Sequence, residues 1–558
     1  MAHAFSTGVG ISLCVALCSI DARAQIKPPV PPPGQIERQL EKPPEPSAKQ
    51  GVITIPAPGQ TPPPNAEGIT FVLNQLTIVG ATVYSERTLS AVYARDLHKE
   101  VTLAEVYRIV ERLTAKYRND GYILSQVIVP AQAVEGGVIR LQAIEGYVAD
   151  VRVEGGSARL RGRIRKYGDK IKASRPLTIG ALERGVLLIN DLPGVSAHAV
   201  LAPSAVPGAS DLVLQVTHRA AAADLSSDNR GSTAQGPRRV LGTLDLHSTL
   251  GVGSRTELRG VSTLDRELVY VAVTHDQFVG ASGGRFEVAA SYVYSRPQEL
   301  AIIPLDLVTD SETLTVSYTQ AIVRRRSRNL SMRGSVSAFN STSSIFGIRD
   351  TADRVRAAHI GLTYDGADRL GGLNIADVEF SQGLKGLGAS GNDSIFLSRP
   401  SGRTDFRKAT LYAARVQSLP ANWSLLASVD AQYAFTDLLA SELFSVGGEQ
   451  FGRGYDPSAL LNDHGAALRL DLRYTASLGG RSAATIMPYG FTDLGKVWQR
   501  TPEPGLARSQ SAASAGGGLR LNIGRQLSGF IEVAKPFNAI VGTDLNRDVK
   551  VYAGVSIR

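Results

Sequence analysis

From about residue 219 to the C-terminus, apolar and polar residues alternate with a period of two in runs of about 8 to 11 residues, broken by Gly, Asp, Asn, Ser or Pro. In Glu267–Thr274, Leu268, Tyr270 and Ala272 share one face of an extended chain and Val269, Val271 and Val273 the other. Phe286–Tyr294, Thr313–Thr319, Ser331–Phe339 and Leu425–Phe435 keep the same period. In the third of these, Ser331, Arg333, Ser335 and Ser337 oppose Met332, Val336 and Ala338, which suits a wet lumen against lipid. If about 16 strands are assumed, each receives roughly 21 residues with its connection, ample for the ~9–11 needed per crossing. The pattern predicts a transmembrane antiparallel β-barrel over 219–558. A soluble sandwich or propeller is the alternative that periodicity alone leaves open, although no blade-length repeat favours a propeller.

Between residues 69 and 218 the period lengthens and the chain repeats itself. Thr102, Leu103, Val106, Val110 and Leu113 return as Thr178, Ile179, Leu182, Val186 and Ile189, each set a threonine-capped amphipathic helix. Thr102-x-x-Glu105 is a capping box, and Gly121 is placed to end its helix. A strand precedes each helix pair, Leu76–Gly80 and Val151–Gly155. Two follow it, Ile123–Val129 with Val138–Ile144, and Ala197–Leu201 with Leu212–Thr217. Each copy reads β-α-α-β-β. A small sheet covered by helices on one face leaves an edge unpaired, and such an edge accepts an extended peptide through main-chain hydrogen bonds. A passive spacer is the alternative.

Ahead of the repeat, residues 28–64 hold 13 of the 28 prolines, the composition of an extended linker. One proline-free island, Gly34–Glu41, has room for a turn or two of helix, marginal by itself at that length. It is either a docked plug or a disordered spacer. Earlier still, an apolar run from Val9 to Ile20 precedes Ala22-Arg23-Ala24, which reads as a secretory signal peptide and its cleavage site. The run contains Cys14 and Cys18, the only cysteines of the 558 residues. The exported chain therefore has no disulfide framework and no thiolate metal site. No later apolar stretch approaches the ~18–20 residues of a membrane helix.

Composition adds mainly exclusions. A net charge of +9 over this length is too dilute to point to nucleic acid. The eight histidines contain no His-x-x-x-His pair, and there is no P-loop lysine motif. Gly280–Gly284 matches a Gly-x-Ser-x-Gly elbow but joins two strand runs, so it reads as a loop. Arg324-Arg325-Arg326-Ser327-Arg328, also between strands, reads as a solvated turn at the membrane rim.

The densest unusual stretch runs from Val446 to Pro457, where four glycines surround Arg453 and Tyr455. Such backbone folds tightly and holds a guanidinium in a confined place, which calls for a carboxylate. The best candidate is Asp493, alternating with Phe491 and Gly495 on one strand face. If that face is the lumen, Gly495 removes bulk so a loop can approach, and Arg453–Asp493 is a charge-assisted lock that a charge swap partly restores. An ordinary loop and a lone strand aspartate are the bland alternative.

At these residues the chain resembles the two-partner secretion outer-membrane transporters (TpsB proteins of the ShlB/FhaC/HecB hemolysin secretion/activation type) of the outer-membrane assembly superfamily. Arg453-Gly454-Tyr455 is similar to the Val-Arg-Gly-Phe/Tyr tip of a loop that folds back into the pore, with Gly452 where valine is usual. Phe491-x-Asp493-x-Gly495 is similar to the barrel-wall motif that holds it. Tyr117-x-x-x-Gly121-Tyr122, Val129-Pro130-x-Gln132, Gly137-x-Ile139 and Glu145-Gly146 resemble a ShlB-type POTRA domain. Asp191–Val195 and Pro207-Gly208-x-x-Asp211-Leu212 in the second repeat, Asp228-Asn229-x-Gly231 at the first strand, and the island at Gly34–Glu41 are also family-like. One departure is the ending Val555-Ser556-Ile557-Arg558, where an aromatic residue is common.

The resemblance implies a signal peptide (1–24), plug helix and Pro-rich linker (25–68), two POTRA domains (69–147 and 148–218) and a barrel of about 16 strands (219–558). It implies an outer-membrane protein with POTRA domains in the periplasm and porin-like activity, which captures an unfolded secreted partner and passes it through the pore. An assembly factor for other barrels is the alternative. Expected partners are a filamentous-hemagglutinin-like or hemolysin-like exoprotein, outer-membrane lipid and, during biogenesis, the barrel-assembly machinery. No nucleic acid, cofactor, metal or catalytic residue is expected.

Overall fold

The computed structural model describes residues 30–41, 44–46, 53–54, 60–206, 208–298, 303–479, 484–502, 507–540 and 547–558; the expected leader, 1–24, lies outside them. From Ala221–Asp228 to Lys550–Ile557, sixteen antiparallel crossings form one sheet closed on itself, which excludes the sandwich and the propeller. His464–Tyr474 and its continuation Ala476–Leu478 make a single crossing. The seam is short: Leu225, Ser226, Ser227 and Asp228 pair with Ile557, Ser556, Val555 and Gly554. Asn229 extends it, its side-chain amide donating to Val551 O (2.9 Å) and accepting from Ala553 N (2.8 Å).

The period-two pattern sorts side chains to the two sides of this wall. Along Val308–Arg324, Leu314, Val316 and Tyr318 stand outward and exposed, while Thr313, Thr315 and Ser317 line the lumen. Along Arg328–Ile345, Met332 and Val336 point out and Arg333, Ser335 and Ser337 point in. Outward apolar side chains recur around the whole barrel, as a lipid-facing belt requires. Aromatic pairs mark its two rims on one strand: Trp423 with Tyr474 at the short-turn end (5.1 Å), Tyr433 with Phe435 at the long-loop end (5.0 Å).

The repeat forms two modules. In the first, Gln75–Val79 and Gln126–Ile128 flank Val138–Ile144, with helices Glu86–Tyr93 and Leu103–Asn119 on one face. In the second, Tyr147–Glu154 and Val195–Pro203 flank Ala209–His218, beneath helices Ala158–Lys172 and Ile179–Asn190. Both threonine caps form, Thr102 as a full capping box with Glu105, and the repeated apolar positions Val106, Val110, Leu113, Leu182, Val186 and Ile189 are all buried. Several strand boundaries differ from the sequence pattern, the runs expected at 197–201 and 212–217 extending to Val195–Pro203 and Ala209–His218. The run expected at 123–129 shortens because Tyr122–Ser125 turns, Ser125 N donating to Tyr122 O (3.0 Å). The run expected at 151–155 starts earlier, because Tyr147 already pairs with Ala209. Glu145 staples the first module: its carboxylate accepts from the Thr82 and Val83 amides (2.8 and 2.9 Å), the Tyr117 hydroxyl (3.0 Å) and the Thr82 hydroxyl. Burial opposes its ionisation, but these donors outweigh it and hold its pKa below the ordinary value.

The second module sits against the short turns of the barrel. Arg184 donates to Ala321 O (2.9 Å), Ser282 O (3.0 Å) and Ile322 O (3.1 Å). Arg324, expected in a solvated turn, is instead buried in a bidentate pair with Asp191 (2.6 and 2.7 Å), and Arg326 lies 3.7 Å from Glu183. The basic cluster is thus part of an interface between module and barrel. These turns face the same side as the modules, so the connections at the opposite end, including the glycine-rich loop, face away from the modules.

Candidate functional site: the occupied lumen

The glycine-rich loop, residues 435–463, does not project outward. Phe444–Val446 pairs with Leu460–Asn462 in a two-stranded hairpin whose tip reaches the inner wall. Gly452 lets the tip turn: its φ of +96° is one that valine rarely adopts, and a Cβ there would stand 3.1 Å from Gly447 N. Gly495 opens the wall opposite, since a Cβ on it would lie 2.5 Å from Val446 Cγ1.

Arg453 enters the space so made, 1% exposed. Its Nε donates to Asp493 Oδ2 (2.9 Å) and its Nη2 to Asp493 Oδ1 (2.7 Å), a bidentate fork. The same Asp493 Oδ2 accepts the backbone N–H of Arg453 (2.8 Å) and of Gly452 (3.2 Å), so one carboxylate grips both side chain and loop backbone. The guanidinium lies 3.6 Å from the centre of the Phe491 ring, a cation–π contact. Tyr455 is buried beside it, its hydroxyl 2.8 Å from Ala513 O and 2.9 Å from Asn538 O. Gly454 passes close to the wall, where a Cβ would be 3.1 Å from Ser514 Cβ. All six sequence-predicted residues, Arg453, Gly454, Tyr455, Phe491, Asp493 and Gly495, meet in one place.

Two further carboxylates join them that sequence reasoning did not single out. Asp471 accepts from Arg453 Nη2 (2.6 Å), Arg469 Nη2 (2.7 Å) and Arg473 Nη2 (3.0 Å). Glu532 lies 3.6 Å from Arg453 Nη1 and accepts from Arg230 Nη2 (2.9 Å) and the Tyr489 hydroxyl (2.7 Å). Arg230 is in turn sandwiched by Phe530 and Tyr552 (4.6 and 4.9 Å). Three buried acids are thereby matched by Arg453, Arg230, Arg469 and Arg473, a balance without which burying them would be prohibitive. The signal for Asp471 was in the sequence: Arg469, Asp471 and Arg473 alternate on one face of a strand, which marks that face as lumen. Glu532 carries no such pattern.

The tip also bridges the seam of the barrel. Asp456 accepts from the Thr233 backbone N–H (3.0 Å) and its hydroxyl, just beyond the first strand, and from Lys550 Nζ (2.8 Å) at the start of the last.

Helix Pro33–Leu40 fills much of the remaining lumen. Ile36 and Leu40 pack on Val261, Leu268, Tyr270 and Val293 of the inner wall, burial that a helix this short requires. Its polar side grips the loop: Gln35 Nε2 donates to Leu443 O (2.8 Å), Arg38 Nη1 to the same oxygen (3.0 Å), and Gln39 bonds Ser458. Thr313 of the wall donates to Glu37 (2.8 Å). Helix and loop leave two cavities of about 600 and 470 Å³. Among the described residues no group of His, Cys, Asp and Glu is arranged to hold a metal ion.

Residues 208–521 match the family model "Haemolysin secretion/activation protein ShlB/FhaC/HecB", and residues 71–146 match the ShlB-type POTRA domain. The outer membrane transporter CdiB of Dickeya dadantii is 23% identical over 420 residues, 74% of this chain and 73% of that protein. The heme/hemopexin transporter protein HuxB of Haemophilus influenzae is 23% identical over 486 residues, 85% of each. The solved structure of CdiB from Escherichia coli superposes with a TM-score of 0.73 at 19% identity, covering 90% of this chain and 92% of that one, which fixes the fold. A closed sixteen-stranded barrel, paired β-α-α-β-β modules on its periplasmic side, and a family match over more than half the sequence lead to one assignment: the chain belongs to the ShlB/FhaC/HecB haemolysin secretion/activation family, the two-partner secretion transporters of the outer membrane.

Proposed function

We propose that the Arg453 cluster is the releasable lock of the export pore, with Arg453, Gly454 and Tyr455 on the loop and Phe491, Asp493 and Gly495 on the wall. The chain divides into a leader (1–24), plug helix and linker (25–68), two POTRA domains (69–147 and 148–218) and the barrel (219–558). A secreted exoprotein, unfolded in the periplasm, is captured by the POTRA domains and passes through the lumen while helix and loop give way. Folding of the client outside supplies direction. No bond is made or broken, and no nucleic acid takes part; outer-membrane lipid surrounds the barrel, and the barrel-assembly machinery inserts it.

The observation that carries this reading is the single carboxylate of Asp493 holding the loop by four hydrogen bonds, two to the Arg453 side chain and two to loop backbone. Such a contact is strong when seated and, like the apolar packing of Phe444, Val446 and Tyr455 beside it, is released without breaking a covalent bond. The test is export of the exoprotein by Arg453→Ala and Asp493→Ala transporters present at normal level in the outer membrane. Both are expected to export less, and full export by both rejects the lock.

A further inference from the structure

Two described pieces of the proline-rich segment that follows the plug helix, Ile53–Thr54 and Gln60, meet the two POTRA domains at sheet edges where a strand can add. Ile53–Thr54 pairs in parallel with Val195–Pro203, Ile53 facing Ala199 and Thr54 facing Val200. Ile53 packs against the core of the second domain, and Thr54 Oγ1 lies 3.1 Å from His198 Nε2. Without these two residues Val195–Pro203 is the outer strand of its sheet. At the first domain Gln60 repeats the device with a side chain. Its Nε2 donates to Val129 O (3.0 Å) and its Oε1 accepts from Val129 N (2.8 Å), a two-point amide pairing at the end of the outer strand Gln126–Ile128.

The same segment is tied to the lumen at its other end. Glu45 forms a bidentate pair with Arg473 (3.0 and 3.0 Å), and Arg473 shares Asp471 with Arg453. Gln450 of the loop donates to carbonyl oxygens at the end of the plug helix, Arg38 O (3.2 Å) and Glu41 O (2.5 Å) among them. One short stretch of chain therefore connects the two POTRA edges, the plug and the lock.

We propose that the linker is an internal placeholder at the strand-addition edges, and that an extended, β-prone segment of the client replaces it, so that client capture and loosening of the plug are one exchange. This rests on the transporter reading above. The described linker residues Ile53 and Thr54 pair with two positions of the nine-residue strand Val195–Pro203, and a client strand matched to all nine gains more main-chain hydrogen bonds than that two-residue pairing supplies. Held in cis, the linker competes at a millimolar effective concentration. Once it leaves both edges, the tether from the plug to its nearest POTRA anchor, Ile53 when seated and the first POTRA strand at Thr70 when released, roughly doubles in length. The effective concentration of the plug in the lumen then falls about threefold by the −3/2-power dependence.

The test uses the full chain in lipid nanodiscs and, as probe, a fluorescent peptide with the sequence of residues 50–56. In the parent protein the peptide is expected to bind poorly. In Ile53→Pro/Thr54→Pro, which disables the linker strand and leaves the POTRA domain intact, it is expected to bind at least tenfold more tightly. Because the mature chain is expected to lack cysteine, Thr54→Cys/Val200→Cys provides a second, same-molecule comparison: facing residues on adjacent strands are within disulfide reach. Oxidised, it is expected to bind less peptide even than the parent, and reduction to restore the parent's weak binding. Equal binding by parent and double-proline protein, or binding indifferent to the disulfide, overturns the placeholder. In planar bilayers the double-proline protein carrying Gln60→Ala as well, which frees both edges, is expected to show a few-fold greater open fraction. Peptide exchange with unchanged conductance overturns the coupling to the plug. Neither readout involves export, so failure here and failure of the transporter reading are told apart by whether the exoprotein is still secreted.

Discussion

Replacing Arg453 by alanine should unseat the loop, and the structure sets the size of the effect. The substitution removes the bidentate fork to Asp493, the bond to Asp471 and the stacking on Phe491, and leaves Asp493 and Asp471 buried, each 0% exposed. Breaking one side of a buried ion pair costs about 3–5 kcal/mol, most of it the stranded partner. At 1.4 kcal/mol per decade, the unseated fraction of the loop rises about 150- to 4,000-fold. The assay is thiol labelling. Ala459→Cys places a reporter that is buried when the tip is seated, in a mature chain expected to carry no other cysteine. In native membranes its alkylation rate follows the unseated fraction, with heat-modifiable gel mobility verifying that the barrel has formed. Arg453→Lys should fall between parent and alanine, since one ammonium cannot span the Asp493 fork and Asp471 together. Fewer than threefold change in labelling for Arg453→Ala in a folded barrel would refute the reasoning. Exchanging the two residues is not expected to restore the loop, contrary to the simple-pair expectation. Asp493 also holds the Arg453 and Gly452 backbone amides, and a carboxylate at position 453 would face Asp471 and Glu532.

Three other outcomes follow from neighbouring contacts. Gly495→Ala pushes a methyl toward Val446 Cγ1 and should raise labelling at position 459 by roughly 5- to 150-fold, the range for about 1–3 kcal/mol of overpacking, with Val446→Ala relieving it in the double variant. Glu532→Ala strands Arg230 beside a seam of only four residue pairs, so the temperature at which the barrel loses its heat-modifiable form should drop, whereas an unchanged temperature would remove Glu532 from the seam's support. Glu145 has a depressed pKa, so its contribution is present above the unfolded carboxyl value near ~4.3 and is lost as pH falls through the lower folded value. Hydrogen exchange of the Thr82 and Val83 amides in the full chain, corrected for intrinsic rate, should accelerate on acidification below pH ~4, and Glu145→Gln should flatten that dependence.

The parts of the molecule legible in sequence are those with a local period. Alternation located the barrel wall and its two faces, and the repeated helix positions located both modules. Arg453 and Asp493 stood out because glycine-rich backbone and a strand face with a lone charge are each unusual in themselves. What escaped depends on register between distant strands or on docking. Glu532 sits in an ordinary strand and becomes part of the site only because closure of the barrel brings it to Arg453 and Arg230. Arg324 reads as a surface residue until Asp191 of the second module arrives, 133 positions away in sequence. The strand at Ile53–Thr54 is hidden among prolines, although the β-branched run Val52-Ile53-Thr54-Ile55 was a signal for it.

In the proposed mechanism the client travels through the barrel interior now filled by helix and loop. Gln39 of the plug helix touches Ser458 of the loop inside the lumen. A transporter carrying Gln39→Cys/Ser458→Cys can therefore be stapled across its own pore by a short bis-methanethiosulfonate cross-linker, which joins the two thiols through reducible disulfides and spans the length the glutamine side chain spanned. Export of the exoprotein is measured from cells with the disulfides formed and again after reduction. Export is expected to stop when the staple is closed and to return when it is opened; undiminished export with the staple closed would contradict passage through the lumen.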